Sequence, residues 1–124
     1  MVKKCPFCNL FKTEVVIEND LCFAKWDKYQ VTDGHMLIIP NRHVDNYFSL
    51  THLEKLSVFK LLEDAKSLLD KKNNPDGYNI GVNVGEAAGQ TIKHVHIHLI
   101  PRYIGDVEDP KGGVRGVIPV KQKY

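Results

Sequence analysis

The sequence predicts an α+β fold with a largely antiparallel sheet. Two features support this prediction: short stretches rich in β-branched and aromatic residues, and one long segment with helical periodicity. Short turns join most of the stretches, which favours antiparallel neighbours over parallel crossovers. The chain has 124 residues, the size of one domain. We therefore expect a single domain over residues 1–124, with residues 105–124 as a C-terminal tail rich in Gly, Pro, Lys and Arg.

The strands are predicted where residues alternate with period two, or where a short apolar run lies between turn signals. In chain order they are residues 14–18, 21–26, 35–39, 78–84 and 94–100. Asn19 and Asp20 mark a turn between the first two, which favours a hairpin. Pro40 ends the third strand, and the tight loop 85–89 leads into the last.

The long helix is predicted from Thr51 to about Lys71. Thr51 and Glu54 have the spacing of a capping box, in which each side chain binds a backbone N–H of the other residue. An apolar stripe follows that approximates a period of 3.6 residues. It consists of Leu53, Leu56, Leu61, Leu62, Ala65, Leu68 and Leu69, while Glu54, Lys55, Glu63, Asp64 and Lys66 are expected on the solvent face. The stripe is interpreted as core, since one fully buried aliphatic side chain contributes about 1.5–3 kcal/mol.

Composition and charge exclude several classes of protein. A formal net charge of +2 is too small to argue for a nucleic-acid partner. No apolar run reaches the length that spans a membrane, and no apolar segment follows Met1-Val2-Lys3-Lys4 as a signal peptide requires. We expect a cytoplasmic protein that has neither a nucleic acid nor a membrane as partner.

Three histidines alternate with apolar residues in the last predicted strand. On a strand, His94, His96 and His98 share one face, and Val95 and Ile97 lie on the other. Imidazole is suited to acid–base chemistry, nucleophilic attack and metal binding. A rise of about 3.3 Å per residue separates the first and third Cα atoms by roughly 13 Å. This distance disfavours a metalloenzyme in which all three rings hold one catalytic zinc ion.

Two of the three cysteines form a Cys-x-x-Cys pair near the N-terminus. In a reducing compartment, Cys5 and Cys8 indicate metal or redox chemistry rather than a structural disulfide. Zinc is favoured because a redox pair is expected after a strand, at the start of a helix. A zinc site requires two further ligands, and free thiols are the alternative. Cys22, between Leu21 and Phe23, is interpreted as an inert core residue.

Several segments together resemble the histidine triad (HIT) superfamily of nucleotide hydrolases and transferases. Residues 94–100, His-Val-His-Ile-His-Leu-Ile, match its signature, and residues 34–40 with His43 are similar to an upstream family segment. Residues 89–91 lie where the family has a phosphate-contacting loop, and Asp27 has the spacing of its ribose-contacting residue.

Within the superfamily, residues 89–94 and Pro101-Arg102 resemble the Fhit branch of dinucleoside polyphosphate hydrolases. The short tail and the Cys5-Pro6-Phe7-Cys8 segment resemble small microbial HIT proteins. The resemblance implies a five-stranded antiparallel sheet with one long and one short helix. It also implies a homodimer in which the sheets of two subunits join.

The activity implied by the resemblance is two-step nucleotidyl transfer. His96 attacks the α-phosphate of a nucleoside phosphate or dinucleoside polyphosphate, and water then cleaves the nucleotidyl-histidine. The implied catalytic residues are His96, His98 and His35. The implied substrate-binding residues are Asp27, Asn83, Gly89, Gln90, Thr91 and His98, with Asn83 and Thr91 alternatively serving only the local turn or strand. A nucleotide-binding regulatory protein with incidental slow hydrolysis is the alternative function.

The resemblance also completes the zinc site. In metal-bearing relatives, the cysteine pair joins an upstream histidine and the first histidine of the triad. Here the ligands are Cys5, Cys8, His43 and His94. A closed Cys₂His₂ set is the structural type of zinc site, so no metal is expected to be required for the chemistry.

Overall fold

A five-stranded antiparallel sheet with one long α-helix packed against it forms the centre of the fold. The structure is a computed structural model and describes residues 5–124. The strands are β1 Ile17–Glu18, β2 Cys22–Trp26, β3 Met36–Pro40, β4 Gly77–Val82 and β5 Ile97–Arg102, and the helix is α1 His52–Lys72. The order across the sheet is β1-β2-β3-β5-β4, and every neighbouring pair is antiparallel. The predicted α+β class is thereby confirmed. The described residues form no second α-helix, and 3₁₀ turns of three to five residues take its place.

The last strand is shorter than the sequence predicts. β5 begins at Ile97, so His94 and His96 lie in the bend before it. The ladder between β3 and β5 covers only Met36 to Ile38 on the β3 side. Pro40 has no N–H to extend this ladder, and its carbonyl instead accepts a hydrogen bond from the His94 ring at 2.8 Å. The chain therefore turns at His94, and the three histidines do not lie on one regular strand face.

The helix begins with the predicted capping box, but its buried face differs from the predicted stripe. The Thr51 hydroxyl accepts from the Glu54 N–H at 3.1 Å, and the Thr51 N–H donates to the Glu54 carboxylate at 2.8 Å. Leu53 and Leu56 are 66% and 48% exposed, so the stripe is wrong at these two positions. The buried apolar residues of the helix are Val58, Leu61, Ala65 and Leu69.

Glu54, expected on the solvent face, is 4% exposed. The Arg42 guanidinium donates to both of its carboxylate oxygens, at 2.9 and 3.1 Å. Bidentate pairing of this kind is strong enough to hold a carboxylate away from water. The hydrogen bonds from Arg42 are the main cause that lowers the Glu54 pKa to about 2. The pair ties the loop that carries His43 to the start of α1.

The two faces of the sheet are covered differently. α1 covers one face, where the larger hydrophobic cluster includes Met36, Ile38 and Leu99. On the other face, the N-terminal segment contributes Phe7 to a smaller cluster with Phe23, Leu37 and Ile39. Neither α1 nor any other described helix combines the length and the apolar character needed to cross a membrane.

Candidate active site and metal site

A cleft of about 400 Å³ lies against β4 and β5, on the face of the sheet that α1 does not cover. His35 and His98 lie on one side of the cleft, and Asn83 follows the end of β4. The tail residues 113–117 form another wall, so the tail lies over the body of the same chain. The cleft thus brings together three of the residues that the resemblance assigns to catalysis or to substrate binding.

His96 has one ring nitrogen fixed by the backbone. It is 8% exposed, and its Nδ1 lies 2.8 Å from the carbonyl oxygen of His94. Because a carbonyl only accepts hydrogen bonds, this contact assigns the proton of the neutral ring to Nδ1. The Nε2 atom then carries the lone pair. The His98 ring lies next to the His96 ring, with 5.4 Å between the centroids. His96 is therefore held in the tautomer that a nucleophile requires.

A chain of hydrogen bonds also sets the tautomers of His35 and His98. The backbone N–H of Val31 donates to His35 Nδ1 at 3.2 Å, so His35 carries its proton on Nε2. The Nε2–H of His35 faces His98 Nδ1 at 2.9 Å and Asp27 Oδ2 at 3.2 Å. His98 Nδ1 accepts, which leaves the proton of His98 on Nε2. His98 can therefore donate a hydrogen bond through its Nε2–H to a bound substrate.

Asp27 stands beside this chain instead of in open solvent. One of its oxygens accepts from the Tyr29 N–H at 2.8 Å, and the other faces His35. Two nitrogen ligands of one zinc ion at about 2.0–2.1 Å lie roughly 3.3 Å apart. The 2.9 Å between His35 Nε2 and His98 Nδ1 is shorter, and the proton on His35 Nε2 occupies its lone pair. Asp27, His35 and His98 therefore form a hydrogen-bonded relay and not a second metal site.

Both histidines of the relay are neutral at pH 7. Burial is the main cause that lowers the pKa of His98, and the nearby His35 and His96 lower it further, to about 4. Burial also lowers the pKa of His35, although the Asp27 carboxylate opposes that effect. A neutral His98 can donate a hydrogen bond through its Nε2–H without the cost of burying a charge.

This pKa makes stability depend on pH. Between about pH 6.5 and 4, the unfolded chain binds a proton on His98 that the folded chain does not, so the free energy of unfolding falls as the pH falls. The expected contribution of His98 over this window is ~3 kcal/mol. We expect His98→Gln, which retains an acceptor for His35, to flatten the profile measured by urea unfolding from about pH 7 to about pH 4. His52→Gln, on the exposed side chain that begins α1, should leave the profile unchanged.

The loop before the histidines is held together by Gln90. Its amide nitrogen donates to the carbonyls of Asp45 and Ile92 at 2.7 and 3.0 Å. Its amide oxygen accepts from the Gly85 N–H at 2.9 Å. Both N–H groups of the amide are used within the protein, so Gln90 shapes the loop in this structure. Gly89, with φ at +90°, and Thr91 are exposed on the same loop.

The four predicted metal ligands converge on one point. Their ligand atoms, one each from Cys5, Cys8, His43 and His94, all lie within 4.8 Å of one another. His94 Nδ1 lies 3.4 and 3.5 Å from the sulfurs of Cys5 and Cys8, and 3.2 Å from Nδ1 of His43. Tetrahedral zinc places ligand atoms roughly 3.3–3.8 Å apart at the usual bond lengths. The chemistry and the spacing of the donors both fit zinc.

His94 is prepared for this role by the backbone. Its Nε2 lies 2.8 Å from the Pro40 carbonyl, so Nε2 carries the proton and Nδ1 presents its lone pair to the cluster. Burial is the main cause that lowers the pKa of His94, which favours the neutral form that a metal ligand needs.

Phe7 belongs to the site, although the sequence analysis assigned it no role. Its ring centroid lies 5.1 Å from that of His96 and 5.9 Å from that of His94. The only signal in the sequence was its position between Cys5 and Cys8. A residue between two predicted metal ligands lies close to the other residues that surround the metal site. The Val31 N–H was also missed, because sequence patterns report side chains and not backbone donors.

Sequence comparison places this site in a known family. The HIT domain family matches residues 10–105. A HIT-like protein of Mycoplasma pneumoniae is 40% identical over 104 residues, covering 80% of this chain and 72% of its own. An AP-4-A phosphorylase of Mycobacterium tuberculosis is 32% identical over 93 residues, 74% of this chain and 48% of that protein. The nitrilase and fragile histidine triad fusion protein NitFhit of Caenorhabditis elegans is 42% identical over 79 residues, 64% of this chain and 18% of the fusion protein.

Solved structures agree with the sequence comparison. A HIT family protein from Bacillus subtilis superposes with a TM-score of 0.77 at 32% identity, covering 84% of this chain and 77% of that one. A Zn-bound histidine triad family protein from Mycobacterium smegmatis superposes with a TM-score of 0.70 at 27% identity, covering 77% and 69%. By fold, sequence and histidine signature, the chain belongs to the HIT family.

Proposed function

We propose that this protein hydrolyses a nucleoside phosphate or a dinucleoside polyphosphate through a covalent nucleotidyl-histidine on His96. The observation that carries the proposal is the hydrogen bond from His96 Nδ1 to the His94 carbonyl, which leaves Nε2 with its lone pair. Membership of a family that includes an AP-4-A phosphorylase and a Fhit fusion protein supports action on nucleotides.

In the first step, His96 Nε2 attacks the α-phosphorus, and the bond from phosphorus to the leaving oxygen breaks. The His98 Nε2–H donates a hydrogen bond to that oxygen, which leaves as a phosphate anion, while the His35 Nε2–H donates to His98 Nδ1 across 2.9 Å and holds the His98 ring in this orientation. The phosphorylated His96 ring retains its Nδ1–H and is cationic, so the hydrogen bond to the His94 carbonyl strengthens.

In the second step, water attacks the phosphorus, and the bond from phosphorus to His96 Nε2 breaks. The electron pair returns to Nε2, which makes the His96 ring neutral again, and the proton that the attacking water loses passes to solvent. Asp27 helps to keep the proton on His35 Nε2, since its carboxylate oxygen lies 3.2 Å from that nitrogen. We also assign substrate contacts to Asn83, Gly89 and Thr91, and a ribose contact to Asp27, as the resemblance implies.

The proposal includes a structural zinc ion held by Cys5, Cys8, His43 and His94. Bound there, zinc would fasten the N-terminal segment to the bend that carries His94. The Zn-bound relative from Mycobacterium smegmatis and the convergence of the four ligand atoms support this assignment.

We further propose that two copies form a homodimer through joined sheets. β4 is an outermost strand of the sheet, and Ile80 on it is exposed. An outer strand presents free backbone N–H and C=O groups, with which the same strand of a second copy can pair.

The test is a substrate panel of adenosine and guanosine compounds, including dinucleoside polyphosphates and phosphoramidates, compared by kcat/KM. Acid quenching during turnover, followed by intact-mass analysis, should reveal a chain heavier by one nucleotidyl group. Absence of turnover with every compound, combined with tight binding of a mononucleotide, would contradict the hydrolase and favour a nucleotide-binding regulatory protein.

A further inference from the structure

Phe7 stands between the metal site and the histidine proposed as nucleophile. It lies between the ligands Cys5 and Cys8 in sequence, and it is buried in the smaller cluster with Phe23. Its ring meets the His96 ring edge to face, with 5.1 Å between the centroids and 60° between the planes. His96 itself follows the ligand His94 by two residues. Each partner of this aromatic contact therefore lies within two residues of a predicted metal ligand.

The contact supplies a constraint that the hydrogen bond of His96 does not. The bond from Nδ1 to the His94 carbonyl selects one tautomer, but a single hydrogen bond holds a ring weakly against rotation. A half-turn of the ring about the Cβ–Cγ bond would put Cδ2 in the place of Nδ1 and Cε1 in the place of Nε2, so the hydrogen bond would be lost and a carbon atom would face the substrate. The rings of Phe7 and His98 both pack against the His96 ring, with centroid distances of 5.1 and 5.4 Å. Close packing by two neighbouring rings opposes that rotation.

We propose that Phe7 is a positioning residue through which metal binding sets the orientation of His96. When the four ligands hold a metal ion, the segment from Cys5 to Cys8 is fixed, and Phe7 is pressed against the His96 ring. When the metal is absent, the segment is released and the ring regains rotational freedom. The metal site thus acts on the nucleophile without contacting the substrate. The proposal extends the proposed function, because it takes His96 as the nucleophile.

The experiment compares Phe7→Leu with Phe23→Leu in the full-length chain. Both variants lose an aromatic ring of the same cluster, but only Phe7 contacts His96. We expect Phe7→Leu to lower kcat by roughly 10- to 100-fold, as misplaced reacting groups do, with KM changed by less than about twofold. Phe23→Leu should keep kcat within about twofold. Bound zinc, measured by mass spectrometry of the native protein, should stay at one ion per chain in both.

A second measurement does not depend on activity. In ¹⁵N-labelled protein, two-dimensional NMR of the imidazole rings distinguishes the two tautomers of His96. The zinc-bound wild type should show one tautomer, and removal of zinc by a chelator should produce a mixture. Phe7→Leu should show the mixture with zinc bound, and chelation should change it little further, which is the pattern of two perturbations that act through one contact.

Three results would overturn the proposal: equal loss of kcat in the two variants, an unchanged His96 tautomer in Phe7→Leu, or loss of zinc from Phe7→Leu. The first would mean that Phe7 only fills the cluster, and the last that it only supports the metal site. Failure of the proposed function is distinguishable from these results. It would appear as turnover unaffected by substitution of His96, while the NMR comparison would still report whether Phe7 orients the ring.

Discussion

Replacing His96 with alanine is expected to reduce kcat by at least about 10⁴-fold, because the variant lacks the atom that forms the covalent intermediate. The residues proposed to bind the substrate and the hydrogen bond between His35 and His98 remain, so substrate binding should change far less than turnover. Stopped-flow or discontinuous assays measure kcat, calorimetric titration with a mononucleotide measures binding, and intact-mass analysis detects the nucleotidylated chain. The mass increase seen with wild-type protein should be absent.

The matched control is His52→Ala, which removes a histidine from the exposed start of α1. It should turn over substrate as wild type does. Unfolding midpoints of both variants should show that the fold persists, since His96 contributes no part of the larger hydrophobic cluster. Hydrolysis by His96→Ala at the wild-type rate would refute a covalent mechanism at this residue.

Replacing the proposed zinc ligands Cys5 and Cys8 together with serine is expected to abolish metal binding and to lower the free energy of unfolding by a few kcal/mol. Metal binding to zinc-finger peptides contributes about 10–16 kcal/mol. The expected loss is smaller here because the larger hydrophobic cluster lies on the other face of the sheet and does not include the N-terminal segment. Hydrogen exchange should localise the loss to the segment around Phe7.

Cys22→Ala is the control for this experiment. Cys22 is a cysteine outside the cluster of ligands, buried under α1, and its removal should leave one zinc ion per chain. Protein purified without chelators that contains no metal would contradict the zinc assignment. Equal metal content in the double serine variant and the wild type would contradict the choice of ligands.

The strands, the long helix and its capping box could be predicted from sequence because each depends on residues close together in the chain. The buried face of α1 is harder to predict from sequence. Leu53 and Leu56 fit a helical stripe, yet they lie beside the turn at residues 19–21 and remain exposed, while Glu54 is buried by a partner twelve residues earlier. Periodicity describes which residues share a face, but it does not locate the surface that will cover that face.

The candidate site shows the same division. The resemblance named residues that the structure brings together, such as Cys5 and His94 across 89 positions. It did not indicate that the Gln90 amide hydrogen-bonds within the loop, nor that the Asp27 carboxylate lies beside the His35 ring. Roles of this kind depend on which of several possible partners a polar side chain meets in three dimensions. A short motif carries no record of that choice.

The tautomers of the site share one origin in the main chain. The carbonyl of Pro40 fixes the proton of His94, the carbonyl of His94 fixes that of His96, and the N–H of Val31 fixes that of His35. A peptide group survives almost every substitution of the side chain attached to it. These tautomers are therefore expected to persist when the side chains at the three supporting positions are substituted, provided that the backbone keeps its path. At position 31 proline is the exception, because it alone removes the donor.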